Sequence, residues 1–266
     1  MLHVNSISKT YHSKPALNDI SLTVQHGESI GIIGESGSGK STLGKIILGL
    51  DKPDQGEVHF RGNNLHTLNG KALKKLRRQL QIVFQDSAGS LNPKLPVWKS
   101  VVEPLENYPD VIPSFLKEVR HNRKKMAEVL FQKVGLSPEL LERYPHQLSG
   151  GQKQRIAVAR GITLEPDLLV CDEPTSSLDV SVQAQVLNLL KKLQKDLNLS
   201  FLFISHDIAA VQFMCERIVV LKEGLAVDSF LTEDLFSQSR HPYTKLLVEM
   251  SMEQENKIEE NQHFYT

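Results

Sequence analysis

One short stretch, residues 34–41, constrains this chain more than any other. It is Gly-Glu-Ser-Gly-Ser-Gly-Lys-Ser, and it fits the phosphate-loop pattern G-x-x-x-x-G-K-[ST]. An apolar run over residues 29–33 precedes it, and a helical pattern over residues 41–50 follows it. A strand before the loop and a helix after it are the context that this motif requires. The stretch therefore predicts a nucleotide site in an α/β domain.

The residue types of the loop follow from the chemistry of a triphosphate. Several backbone N–H groups must approach its oxygens at once, and glycines allow this because they lack Cβ and tolerate positive φ. The helix after the loop directs the positive end of its dipole at the phosphates. Lys40 supplies a charge for the β- and γ-phosphates, and the Ser41 hydroxyl suits Mg²⁺. We predict that the bound nucleotide contacts nine consecutive residues: Gly34, Glu35, Ser36, Gly37, Ser38, Gly39, Lys40, Ser41 and Thr42.

Length and charge exclude several classes of protein. The 266 residues suffice for one large α/β domain with a substantial core. Lys plus Arg and Asp plus Glu both total 31, which argues against a nucleic-acid partner because such proteins usually carry a basic excess. The sequence shows no apolar run near the length of a membrane span and no signal-peptide pattern. Cys171 and Cys215 lie in apolar patterns, and we expect both to be reduced core residues.

A second glycine-rich stretch, residues 148–155, narrows the kind of nucleotide site. It is Leu-Ser-Gly-Gly-Gln-Lys-Gln-Arg, a loop that feeds a helix whose N-terminus suits an anion. Together with the phosphate loop, it resembles the signature motif of ATP-binding cassette (ABC) ATPases. The resemblance implies that four signature residues also contact ATP: Ser149, Gly150, Gly151 and Gln152.

Two acidic residues directly follow an apolar run that predicts a buried strand. Residues 168–171 are a continuous apolar run, as expected of a central parallel strand that is covered on both faces. Asp172 and Glu173 come directly after it, at the strand end where open α/β sheets bind ligands. The pair resembles the Walker B motif. Asp172 would hold Mg²⁺ through its water shell, and Glu173 would act as general base on the attacking water.

Three further side chains gain a role from the family resemblance. Tyr11 precedes the phosphate loop, where the family carries an aromatic residue that stacks on adenine, as a tyrosine face can. Gln85 ends a predicted strand over residues 81–84, where a family glutamine reaches Mg²⁺ and the attacking water. His206 lies two residues past a predicted strand over residues 200–204 and resembles the switch histidine that donates a hydrogen bond to the γ-phosphate.

Short sequence motifs elsewhere resemble those of one ABC subfamily. The ATPases of this subfamily power the uptake of oligopeptides, dipeptides and nickel. The motifs are Phe-Gln-Asp at residues 84–86, Ser-Leu-Asn-Pro at 90–93 and Arg-His-Pro-Tyr-Thr at 240–244. They imply the ATP-hydrolysing subunit of a membrane importer on the cytoplasmic face of the cell membrane. Peptide is the first expected cargo, and nickel or a metal chelate is the alternative. An ABC ATPase that acts on nucleic acid is the alternative from a different class.

The resemblance also implies partners. Two ATPase subunits, homologous or identical, pack head to tail, and the D-loop at residues 177–179 touches the other subunit. Two membrane permease subunits complete the complex, and an extracytoplasmic solute-binding protein serves it indirectly. No nucleic-acid partner is expected.

The implied architecture is a P-loop NTPase fold of the ABC ATPase type. An ABC ATPase domain spans residues 1–235, with a RecA-like core, an antiparallel β subdomain and a helical signature subdomain at about 90–160. A short extension covers residues 236–266. We further expect a hairpin turn at residues 25–28, a helix over residues 116–134 and a loose tail from Glu253. Five prolines over residues 93–113 argue against a long helix there.

Overall fold

The computed structural model describes residues 1–86 and 89–263, with the backbone alone for residues 254–263. The strands are β1 (Leu2–Tyr11), β2 (Lys14–Val24), β3 (Ser29–Ile33), β4 (Gln55–Phe60), β5 (Asn63–Asn64), β6 (Leu80–Val83), β7 (Leu168–Asp172), β8 (Ser200–Ile204), β9 (Arg217–Lys222) and β10 (Leu225–Leu231). The α-helices are α1 (Lys40–Ile47), α2 (Gly70–Arg77), α3 (Val97–Asn107), α4 (Arg123–Lys133), α5 (Gly150–Ile162), α6 (Val180–Leu197), α7 (Ile208–Met214) and α8 (Pro242–His263).

A six-stranded sheet forms the centre of the molecule, in the order β10-β9-β3-β8-β7-β6. The five strands from β9 to β6 run parallel to their neighbours, and only β10 is antiparallel. Strands β3 and β8 are buried at every residue, because helices or a second sheet cover both faces of a parallel sheet. The carboxyl ends of β3, β8, β7 and β6 therefore lie side by side.

A four-stranded antiparallel sheet, in the order β2-β1-β4-β5, covers one face of this centre. One face of helix α1 is buried between the two sheets. Its Leu43, Ile46 and Ile47 pack in one cluster with Val4 of the antiparallel sheet and Ile204 of the parallel sheet. This burial fixes the direction of α1, and with it the phosphate loop at its N-terminus.

The larger core lies on the other face of the parallel sheet. Helices α3 to α7 contribute most of its side chains, and Phe201 and Phe203 of β8 are fully buried in it. Tyr243 and Val248 of α8 join the same cluster, so the first part of α8 packs on the main body. The predicted division of the chain at residue 235 stays a prediction.

Three sequence expectations about local structure were wrong. Residues 25–28 do not form a hairpin turn, because β2 and β3 belong to different sheets. The proline-rich stretch holds the 11-residue helix α3 with Pro104 inside it. Its Val97, Val101 and Leu105 are fully buried, and this packing outweighs the helix propensity that a proline removes. The expected loose tail is helical in its backbone to His263.

The helix expected over residues 116–134 is present only in its second half. A short 3₁₀ segment covers Ser114–Val119, and α4 begins after Asn122, whose side chain accepts the N–H of Lys125 at 3.1 Å. Asparagine is a strong N-cap residue, so the cap sets this boundary. Within the described ranges, no helix combines the length and apolar character needed to cross a membrane.

Candidate functional site

The phosphate loop joins β3 to α1 in a conformation that two glycines permit. Gly34 has φ of 149°, and a Cβ there would lie 2.1 Å from the Leu221 carbonyl oxygen. Gly39 has φ of 105°, and a Cβ there would lie 2.5 Å from the Ala16 carbonyl oxygen. Both positions exclude a side chain by backbone angle and by space. The sequence prediction of a glycine-dependent loop therefore agrees with the geometry.

Lys40 is buried inside this loop, with 6% of its surface exposed. Its ammonium donates to the carbonyl oxygens of Gly34 at 2.7 Å and Glu35 at 2.8 Å. Burial lowers the pKa of Lys40, and the carboxylates of Glu173 and Asp172 oppose that shift. A cation is thus held at the centre of the loop.

Ser41 and Asp172 bring two oxygen donors together from different elements. The Ser41 hydroxyl at the start of α1 donates to Oδ1 of Asp172, the last residue of β7, at 3.3 Å. Burial raises the pKa of Asp172, and the hydrogen bond from Ser41 lowers it in part. Hydroxyl and carboxylate oxygens are ligands that Mg²⁺ prefers.

Glu173 is at the centre of the three predicted catalytic side chains. Its Oε2 accepts a hydrogen bond from Nε2 of Gln85 at 3.0 Å, and its Oε1 lies 3.3 Å from Nδ1 of His206. The backbone of Glu173 has φ of 47°, a region that residues other than glycine seldom occupy. Such backbone angles persist where the surroundings fix them. Here the Glu173 N–H donates to the Ile204 carbonyl at 2.8 Å.

The parallel sheet explains why residues so distant in sequence meet. Gln85, Glu173 and His206 each follow the carboxyl end of a strand, namely β6, β7 and β8. These strands are consecutive neighbours, with β3 and its phosphate loop next in line. Open α/β sheets place ligand sites at these strand ends.

Tyr11 ends β1 and lies beside the start of α1. Its hydroxyl donates to the Asp51 carboxylate, and this bond is the main reason that the pKa of Tyr11 is raised, while a weaker interaction with Thr42 opposes the shift. The ammonium of Lys9 lies 5.1 Å from the ring centroid. The residue is 38% exposed, so part of the tyrosine surface is open to a ligand.

The signature residues form a separate group at the N-terminus of α5. The Ser149 hydroxyl accepts the Gln152 N–H at 3.3 Å, and the Gln152 side chain accepts the Ser149 N–H at 3.0 Å. This capping box fixes the helix start. Gly151 faces α6, and a Cβ there would lie 2.4 Å from Cγ1 of Val182. Within the described ranges, no hydrogen bond joins the signature residues 149–152 to the phosphate loop.

The structure adds three contacts that the sequence did not predict. The Ser176 hydroxyl accepts a hydrogen bond from Gln85 at 3.3 Å. The Gly224 N–H donates to the Ser38 carbonyl at 3.1 Å, and the Tyr243 hydroxyl accepts the Glu35 N–H at 3.3 Å. Ser176 could have been suspected because it lies three residues after Glu173. The other two contacts join segments that no sequence pattern connects.

Comparison with known proteins agrees with this geometry. The profile of the family described as ABC transporter matches residues 17–176. The chain belongs to the ABC transporter family. Two similar ABC proteins of Haemophilus influenzae are the oligopeptide transport ATP-binding protein OppF and the dipeptide transport ATP-binding protein DppF. The chain is 41% identical to OppF, over 92% of this chain and 72% of that protein. It is 41% identical to DppF, over 91% of this chain and 73% of that protein.

A solved ABC structure has the same fold. It is the ATP-binding cassette MJ0796, a dimer in a post-hydrolysis state bound to ADP and Pi. The TM-score is 0.75 at 33% sequence identity, over 87% of this chain and 99% of the other. The predicted family and the predicted P-loop NTPase fold of the ABC ATPase type are confirmed.

Proposed function

We propose that this chain is the ATP-hydrolysing subunit of a membrane importer for oligopeptides or dipeptides. The convergence of Gln85 and His206 on the Glu173 carboxylate carries the proposal. This carboxylate also interacts electrostatically with Lys40 of the phosphate loop. A base, a cation and a phosphate-binding loop at one sheet end suit hydrolysis of a nucleoside triphosphate. The names of the two Haemophilus relatives support peptides as cargo.

ATP binds through its phosphates and its base. The triphosphate occupies the loop over residues 34–42, with the N-terminus of α1 behind it. Adenine stacks on Tyr11, whose bond to Asp51 and contact with Lys9 hold the ring in place. Aromatic stacking of this kind also needs a ring with an open surface.

The residues present fit Mg²⁺. Ser41 and Asp172 already share a hydrogen bond at 3.3 Å. Gln85, whose amide nitrogen donates to Glu173, carries an amide oxygen that could serve as a third ligand. These three residues would hold the ion. When bound, Mg²⁺ neutralises charge on the β- and γ-phosphates.

Glu173 takes the proton of the attacking water. Its carboxylate is oriented by the Gln85 amide on one oxygen and faces His206 on the other. A positioned general base contributes about 10²–10⁴-fold in rate. His206 donates to the γ-phosphate and thereby reports its loss, and Lys40 stabilises the charge that develops on the phosphates.

A second ATPase subunit completes the site. Ser149, Gly150, Gly151 and Gln152 of this chain contact the ATP held by its partner, which is a homologous subunit or a second copy. The signature group makes no hydrogen bond to its own phosphate loop within the described ranges, which supports this arrangement. Two permease subunits anchor the pair at the cytoplasmic face of the membrane, and an extracytoplasmic binding protein delivers the cargo. The ATPase domain spans residues 1–235, and residues 236–266 form the extension.

Gene deletion tests the cargo. A strain that requires one amino acid is supplied with it only as a short peptide, and growth is compared with growth on the free amino acid. Loss of growth on the peptide alone, restored by the intact gene, is the expected result. Unchanged growth on peptides, with loss of a nickel-dependent activity such as urease, would contradict the peptide proposal in favour of nickel.

A further inference from the structure

Tyr243 of the C-terminal helix α8 contacts the phosphate loop. Tyr243 is 5% exposed, and its hydroxyl accepts the N–H of Glu35, the second residue of the loop, at 3.3 Å. We infer that Tyr243 is a positioning residue for the phosphate loop, through which the C-terminal extension controls ATP affinity. The inference rests on the proposed function, because it takes the loop to be the ATP site.

Contacts with its own ring and with the start of α8 hold Tyr243 in position. The ammonium of Lys222 lies 4.7 Å from the centroid of its ring. The start of α8 is fixed to β10 through Asp228, which accepts the His241 N–H and the Thr244 hydroxyl, both at 2.9 Å. Charged acceptors form the stronger hydrogen bonds. The tyrosine hydroxyl is therefore presented from an anchored element.

Glu35 links this hydroxyl to the functional lysine. Its N–H donates to Tyr243, and its carbonyl accepts from the Lys40 ammonium at 2.8 Å. Lys40 must exchange its carbonyl partners for phosphate oxygens when ATP binds. Because the bond to Tyr243 does not involve Lys40, it keeps the first arm of the loop in place during that exchange.

The turn between β9 and β10 contacts the second half of the phosphate loop. Gly224, in the turn between β9 and β10, donates its N–H to the Ser38 carbonyl at 3.1 Å. Lys222, which contacts Tyr243, is the last residue of β9. The turn between β9 and β10 is thus hydrogen bonded to the loop at Ser38, and α8 is hydrogen bonded to it at Glu35. A preformed loop avoids the entropy cost of ordering when the ligand binds.

The hydroxyl remains neutral in the working pH range. Burial raises the pKa of Tyr243, and the neighbouring Glu35 carboxylate acts in the same direction. The hydroxyl is therefore uncharged, and it interacts with both the N–H and the carboxylate of Glu35. Tyr243→Phe removes these contacts without changing the charge of the site.

The experiment measures ATP binding by the purified full chain with Mg²⁺. Tyr243→Phe keeps the ring against Lys222 but removes the acceptor, and we expect the Kd for ATP to rise about three- to tenfold, as for one neutral hydrogen bond. Tyr108→Phe is the matched control. Its hydroxyl donates to the Lys74 carbonyl at 2.9 Å, and the Lys74 ammonium lies 5.5 Å from its ring centroid. The Kd of the Tyr108→Phe variant for ATP should equal that of the wild-type chain.

A kinetic measurement separates positioning from general destabilisation. In the assembled complex, Tyr243→Phe should raise KM for ATP by the same factor and leave kcat within about twofold, because it alters binding before chemistry. An unchanged Kd for Tyr243→Phe, or an equal rise for Tyr108→Phe, overturns the inference. A wild-type chain that fails to bind ATP overturns the proposed function, and the inference with it.

Discussion

Oε1 of Glu173 lies 3.3 Å from Nδ1 of His206. The two residues follow neighbouring strands, β7 and β8, whose register pairs Asp172 with Ile204. The sheet therefore determines the distance between the proposed base and the proposed phosphate sensor. His206 is the more exposed partner, at 60% of its side chain against 19% for Glu173. The proposed base is thus sheltered, while the histidine side chain is largely open to solvent.

Glu173→Gln should bind ATP and fail to hydrolyse it. The amide has the shape of the carboxylate, but it cannot take the proton of water. The hydrolysis rate of the assembled complex should fall about 10²–10⁴-fold. Phosphate release and retention of labelled ATP measure the two effects.

The matched control is Glu142→Gln, which alters an exposed glutamate paired with Lys124 and should hydrolyse ATP at the wild-type rate. The assay is best made in a complex whose other ATP site is inactivated. Normal turnover by Glu173→Gln there would rule out its assignment as base.

Asp172→Asn should stabilise the nucleotide-free chain and weaken its response to Mg²⁺. Burial raises the pKa of Asp172 in the folded chain, so the charged carboxylate disfavours folding. This cost is absent below the unfolded-state pKa and grows as pH rises toward the folded-state pKa. Asparagine carries no charge and still offers an oxygen to Ser41. We expect a higher Tm at pH 7 and a Mg²⁺ dependence of ATP binding weakened about tenfold or more.

The control for that prediction is Asp196→Asn, an exposed aspartate on α6. Tm is recorded from acid to neutral pH without ligand, and ATP is titrated at several Mg²⁺ concentrations. A variant with wild-type Mg²⁺ dependence would remove Asp172 from the proposed ion site.

Gly151→Ala should destabilise the fold, because the new methyl group has no room. A Cβ there would lie 2.4 Å from Cγ1 of Val182, and overpacking of this kind costs about 1–3 kcal/mol. Gly150→Ala is the comparison, since its Cβ would lie 3.4 Å from Cδ2 of Leu178, an ordinary contact. Urea unfolding measures the free energy of unfolding of both variants.

A double variant, Gly151→Ala with Val182→Ala, tests the contact directly. It should lose less stability than the two single changes combined, because the smaller side chain leaves space for the methyl group. Additive losses would show that Val182 is not the source of the strain.

The parallel sheet could be predicted from the sequence because its signal is strong. Residues 168–171 and 200–204 are apolar at almost every position, as strands covered on both faces must be. The assignment of β2 and β3 to different sheets could not be predicted, because the short link over residues 25–28 resembles a hairpin turn. Helix α3 was missed because buried Val97 and Leu105 outweigh Pro104.

The residues of the candidate site were also predictable from the sequence only in part. Local patterns predicted the phosphate loop and the acidic pair, whereas the roles of Gln85 and His206 came only from the family resemblance. The Tyr243 contact with Glu35 spans 208 positions of sequence. No local pattern encodes such a contact, because it depends on how α8 packs against the finished sheet.

The signature of this chain is proposed to act on the ATP of its partner. Ser149 and Gln152 form reciprocal hydrogen bonds in a capping box, so the chain's own side chains fix the N-terminus of α5. A single phosphate loop leaves one side of the γ-phosphate open to water. A second helix N-terminus with a serine hydroxyl would complete the electrostatic cage.

Ser149→Arg should therefore leave ATP binding at Lys40 nearly unchanged, because the substitution lies in the group that is proposed to contact the partner's ATP. It should block hydrolysis at the site whose phosphate loop belongs to the partner, since the bulky cation prevents closure over that γ-phosphate. The variant is mixed with a partner whose own signature is intact, and each phosphate loop is inactivated in turn to show which site still hydrolyses ATP. If Ser149→Arg silences only the site built on Lys40, the signature acts within its own chain and the proposed arrangement is wrong.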